Sequence, residues 1–116
     1  MREFVTYVDA KGHDVIAGFM ADLSAPEVAK LLTMLEALTQ VDELRMPYFK
    51  SFRGFTVTLG ELRIGAFRIF AHRLDALPGQ ERWLLVHMFR KKSERTPHRE
   101  IDLAIKRIIA YRYEHD

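Results

Sequence analysis

The stretch "GELRIGAFRIFAHR", residues 60 to 73, constrains this chain more than any other. Two runs of alternating residues meet at Gly65-Ala66, and a two-residue turn with glycine first is the chemistry of a type II′ β-hairpin. That turn sets the register: Ile64 pairs with Phe67, and Arg63 stands opposite Arg68. Alternation then places Leu62, Ile64, Phe67, Ile69 and Ala71 on one side of the hairpin and Glu61, Arg63, Arg68, Phe70 and His72 on the other. The first set reads as a core face and the second as a face outside the core. Facing arginines have Cβ atoms roughly 4.5–5.5 Å apart, a destabilising arrangement unless an anion neutralises it. Glu61 could be that anion, as an internal ion pair on a solvated face, or a bound ligand could supply it.

Around the hairpin the sequence predicts further elements. "REFVTYV" is an opening strand. Ile16, Phe19, Met20 and Leu23 recur at helical spacing. Ser24, with Glu27 three residues on and Pro26 in the first turn, starts a second helix whose apolar stripe is Val28, Leu31, Leu32, Leu35 and Leu38. The two helices form a hairpin. "MPYFKSFRGF" reads as a loop punctuated by Pro47 and Gly54. Strands are expected near 56–64, 66–74 and 82–90, then a last helix with Thr96 as N-cap, Pro97 in first position and Ile101, Ile105 and Ile108 on one face. The fold class is α+β: an N-terminal strand and two-helix hairpin on a mostly antiparallel sheet, with a C-terminal helix. Helices on one face would leave the other sheet face free for function.

The 116 residues fit one domain, 1–116, with a real core. No cysteine is present, which excludes disulfides, zinc-thiolate clusters and thiol nucleophiles. A charged N-terminal stretch and the lack of any apolar run approaching the roughly 20 residues of a spanning helix point to a soluble, cytoplasmic protein without a membrane partner. Residues 1–58 carry 6 basic and 8 acidic groups and residues 59–116 carry 12 and 8, so the second half favours an anionic partner.

"VHMFRKKSERTPHRE", residues 86 to 100, concentrates that charge in Arg90, Lys91, Lys92, Arg95 and Arg99. Such a run alone is ordinarily a solvated loop. Next to the Arg63–Arg68 pair it suggests a polyphosphate site, to which the start of the last helix could add positive potential. Tyr48, Phe49, Phe55, Phe70 and Tyr113 are candidate platforms for bases, most of them expected to be core. His87, near a strand end, is more ordinarily a core or edge residue than a catalyst and ranks second, and Trp83 reads as core. No zinc-finger spacing, Walker loop or dinucleotide glycine pattern occurs, so no metal or cofactor is expected.

The pieces "ELRIGAFRIF" and "LLVHMFRKKSERTPHREIDLAIKR" resemble the HigB-like, phage-related branch of the RelE/ParE superfamily of bacterial toxins. The matching positions are Glu61-Leu62-Arg63, Arg68-Ile69, His87, Phe89, Lys91-Lys92, Thr96-Pro97, Glu100-Ile101 and Ala104, within residues 47 to 111. Phe67 replaces the tyrosine usual before R-I, and the link from Pro47 to E-L-R is longer than in the family pattern.

The resemblance implies a toxin of a type II toxin–antitoxin pair: an mRNA endoribonuclease, often acting on the translating ribosome. It would be silenced by a cognate antitoxin, commonly of helix-turn-helix type, and would reach operator DNA only within the antitoxin complex. On that reading Arg63 and Arg68 clamp the scissile phosphate, Lys91 or Lys92 serves as base or acid, and Lys50, Arg53, Arg90, Arg95 and His98 hold the flanking backbone. Two alternatives stay open: a ParE-like inhibitor of gyrase, and a non-catalytic nucleic-acid-binding module.

Overall fold

The structure is a computed structural model that describes residues 2–75 and 77–115. Its elements run β1 (Arg2–Thr6), α1 (Val15–Met20), α2 (Ala25–Gln40), β2 (Phe49–Phe52), β3 (Leu59–Ile64), β4 (Phe67–Leu74), β5 (Glu81–Arg90) and α3 (His98–His115). The five strands form one sheet in the order β1-β5-β4-β3-β2, antiparallel except for the parallel pair β1–β5. This is the α+β, RelE-like arrangement expected, with β2 as an edge strand inside the segment read as loop. Short polar edge strands are hard to read because little of their pattern is buried: in β2 only Phe49 is in the core.

Local chemistry explains the two anchors of the N-terminal half. Asp14 caps α1 through the amides of Ile16 and Ala17. Ser24 and Glu27 form a reciprocal capping box at the start of α2. The far end of α2 is closed from a distance. Arg2, buried at the start of β1, donates to the carbonyls of Leu38 and Val41 at 2.7 and 2.8 Å and pairs with Glu81 across the β1–β5 register at 2.6 Å. Burial alone would raise the Glu81 carboxyl, but hydrogen bonds from Arg2 and Trp83 outweigh it and hold the group below its ordinary value.

The hairpin has the expected register: Arg63 opposite Arg68 and Ile64 opposite Phe67. Gly65 has φ +58° and Ala66 does not enter positive φ, the pattern of a type II′ turn. Leu62, Ile64, Phe67, Ile69 and Ala71 are buried with Ile16, Leu31 and Leu38 of the first two helices.

The second sheet face is not free. α3 lies across it, packing Ile101, Ala104 and Ile108 against Phe70, Leu84 and Val86. Helices therefore cover both faces. Each large aliphatic side chain so buried contributes about 1.5–3 kcal/mol, which makes an uncovered face bearing Phe70 and a central apolar strand untenable. Glu61, Phe70 and His72, expected outside the core, are accordingly buried. Among the described residues no helix is long and apolar enough to cross a membrane.

Between Phe70 and Ala71 the β4–β5 pairing slips, so Phe70 faces His87 and Ala71 faces Leu85, with Val86 left over as a β-bulge. The bulge turns both Val86 and His87 toward α3, and Arg107 of that helix donates to the Val86 carbonyl at 2.9 Å.

Candidate functional site

Where the hairpin turn, the end of β5 and the start of α3 converge, a pocket of about 260 Å³ opens. Among the described residues, seven cationic side chains line it, Arg63, Arg68, Arg90, Lys91, Lys92, Arg95 and Arg99, against the three carboxylates Glu61, Glu94 and Glu100. The sheet brings these groups together because the amide of Lys91 donates to the carbonyl of Ala66 at 2.7 Å, so the exit of β5 runs beside the hairpin turn.

Glu61 sits fully buried at the centre. Its Oε1 accepts from Arg63 Nε at 3.0 Å and lies 3.9 Å from Arg68 Nε, while its Oε2 accepts from the Thr96 hydroxyl at 3.1 Å. The facing arginines thus carry their own internal anion, inside the fold and not on a solvated face. One carboxylate against two guanidinium groups leaves a positive excess. Arg68 also folds back on its turn, its Nη1 donating to the carbonyls of Gly65 and Phe67 at 2.8 and 2.9 Å. Both arginines keep Nη2 without a hydrogen-bond partner among the described residues.

Thr96 does not cap α3. Its hydroxyl is spent on Glu61, the helix begins at His98, and the Pro97 carbonyl receives the amides of Glu100 and Ile101. The loss of one cap bond is exchanged for a tether between the basic loop and the hairpin.

The sequence candidates divide. Arg63, Arg68, Lys91, Lys92, Arg90 and Arg95 all line the pocket, whereas Lys50, Arg53 and His98 lie outside its lining. Lys50 stands opposite Glu61 in the β2–β3 register, with its ammonium 5.4 Å from the Phe52 ring. Arg90 is engaged structurally: its guanidinium stacks 4.5 Å from the Phe67 ring centroid and donates to Glu27 Oε2 at 2.8 Å. That bond, with those from Ser24, pulls the Glu27 carboxyl down to about 2. Of the aromatic platforms, Phe49 and Phe70 are buried while Tyr48, Phe55 and Tyr113 are exposed, so fewer are core than expected.

His87 is half of an arrangement that sequence reading did not find. Its Nε2 lies 2.6 Å from Glu100 Oε2, its Nδ1 lies 3.1 Å from Arg107 Nη1, and its ring stacks near Phe70 and Phe89. Burial lowers the imidazole pKa, Glu100 opposes that shift and Arg107 adds to it. The signal available in the sequence was spacing: Glu100 and Arg107 are seven residues apart and share a helix face.

A comparison with curated proteins finds no match. Residues 18–108, from within α1 to the buried Ile108 of α3, match the family model described as Phage derived protein Gp49-like (DUF891). That span includes the hairpin, the basic loop and the His87–Glu100–Arg107 group, and by it the chain belongs to the phage-derived Gp49-like family, a RelE-like toxin family.

Proposed function

We propose that this protein is the HigB-like toxin of a type II toxin–antitoxin pair, a cytoplasmic, metal-independent mRNA endoribonuclease that acts on the translating ribosome until its antitoxin neutralises it. The observation that carries the reading is the pocket in which Arg63 and Arg68 share one buried carboxylate while Lys91 and Lys92 line the same space.

RNA supplies its own nucleophile, the 2′-hydroxyl. The protein has to hold the phosphate, stabilise the charge of the pentacovalent transition state and move two protons. The Nη2 groups of Arg63 and Arg68 are suited to the phosphate oxygens, since a guanidinium presents paired donors in a fixed plane. Lys91 and Lys92 bring mobile ammonium donors from the opposite strand exit. Phe89, which lines the pocket, offers a flat apolar face to a base. Lys50, Arg53 and His98, outside the lining, would meet only flanking nucleotides.

The test is induced expression followed by mapping of transcript 5′ ends. Growth arrest with clustered new ends, lost in Arg68→Ala and Lys91→Ala variants that still fold and still bind the antitoxin, is the expected result. Undiminished toxicity in both variants overturns the site, and arrest with intact RNA and broken DNA favours gyrase inhibition instead.

A further inference from the structure

We propose that Glu100 is the general base of this pocket, held in its working state by His87 and Arg107. The inference rests on the endoribonuclease reading and assigns the proton acceptor that reading leaves open. It follows from hydrogen-bond directions. Arginine has donors and no acceptor, so the 3.1 Å contact of Arg107 Nη1 with His87 Nδ1 requires that Nδ1 carry a lone pair. The imidazole proton then resides on Nε2, which donates to Glu100 Oε2 at 2.6 Å. Glu100 Oε2 is thereby fixed as an acceptor at the pocket wall, with a neutral histidine behind it.

The other two pocket carboxylates do not suit the role. Both oxygens of Glu61 are engaged and the group is fully buried, while Glu94 is exposed on the loop. Glu100 has one oxygen tied to His87 and the other, Oε1, only 3.8 Å from Arg99 in a loose contact, so Oε1 can take a proton without breaking the tether. Its side chain is 18 % exposed, accessible from the pocket yet held.

In the step that follows, the 2′-hydroxyl proton passes to Glu100 Oε1 as the 2′-oxygen pair forms its bond to phosphorus. The bond from phosphorus to the 5′-oxygen breaks with its pair on that oxygen, which takes a proton from the ammonium of Lys91 or Lys92. The products are a 2′,3′-cyclic phosphate and a 5′-hydroxyl. Glu100 is the catalytic base, beside the proton-donating lysine and the phosphate-holding arginines; His87 and Arg107, which act through Glu100, are positioning residues.

The experiment uses the full chain and an mRNA whose cut site the wild type has defined, with and without ribosomes. Single-turnover rate is read beside Kd for the same RNA carrying a 2′-deoxy nucleotide at that site. Glu100→Gln, which keeps an oxygen for His87, should lower the rate about 100-fold or more, the range of a lost general base, with Kd changed less than about threefold. Glu100→Asp, which keeps the charge but withdraws it by one methylene, should recover part of the rate and serves as the deciding variant if the glutamine form does not fold. Wild-type rates in a folded Glu100 variant, with Arg68→Ala inactive, overturn the base assignment and leave the endoribonuclease reading standing. Intact RNA with the wild type overturns both.

Discussion

Glu61 Oε1 lies 3.0 Å from Arg63 Nε within a carboxylate that is wholly buried, so the repulsion of the hairpin's like-charge pair is offset in part from inside the fold. Glu61→Gln would leave two guanidinium groups facing each other without their anion. The loss should be about 3–5 kcal/mol, the range for removing one partner of a buried ion pair, seen as a lower urea midpoint. Added sulfate or phosphate should restore part of it by occupying the space between the arginines. A destabilisation indifferent to anions would show that the pocket does not hold them.

Arg2 closes the end of α2 and neutralises Glu81 at once. Arg2→Ala should cost about 2–3 kcal/mol, since bonds to a charged donor are lost and the Leu38 carbonyl is left buried. Thermal unfolding by circular dichroism measures it, and a melting temperature unchanged from wild type would contradict the structural role.

The bond between Arg90 and Glu27 sets a direction in acid. The Glu27 carboxyl, lowered from 4.5 to about 2 chiefly by Arg90, binds fewer protons in the folded than in the unfolded chain across that window. Its contribution is therefore complete above pH 4.5 and is lost as pH falls toward 2. The group is exposed, so the effect is small. Glu27→Gln should flatten the acid limb of a stability-against-pH curve while lowering the plateau slightly.

Gly60 is needed for space, not for an unusual backbone angle: a Cβ there would overlap the Phe49 ring, which packs edge-on against Trp83 with centroids 5.1 Å apart. Gly60→Ala should cost about 1–3 kcal/mol, as overpacking does. Combining it with Phe49→Leu should cost less than the two changes added separately, and strict additivity in chemical denaturation would argue against the steric account.

If the pocket cations bind RNA, salt will report it. For single strands each phosphate neutralised contributes about 0.7 to the slope of log K against log salt. Lys92→Ala and Arg95→Ala should each reduce the slope by roughly that amount, whereas Arg53→Ala, outside the lining, should change it less on short RNA.

The parts of this protein legible in its sequence are those settled within a few residues. Gly65 carries the positive φ of a two-residue turn, and that choice alone put Arg63 opposite Arg68. Ser24 and Glu27 wrote the start of α2, because a capping box closes over one turn of chain. Backbone sterics and local hydrogen bonds act at that range, so pattern is enough.

What tertiary structure alone decided is which partners meet across long stretches of chain. Alternation separated Glu61, Phe70 and His72 from the first core but could not say that all three would be buried, Phe70 against α3, since an amphipathic helix carries its apolar stripe without naming the surface that receives it. Thr96 looked like a cap until the fold brought Glu61 within its reach, 35 residues away in sequence. A slip in the β4–β5 pairing turned His87 toward α3, and there Glu100 and Arg107 met it. Those meetings depend on the register and packing of whole elements, and the energy that selects them belongs to the assembled core, not to any short run of residues.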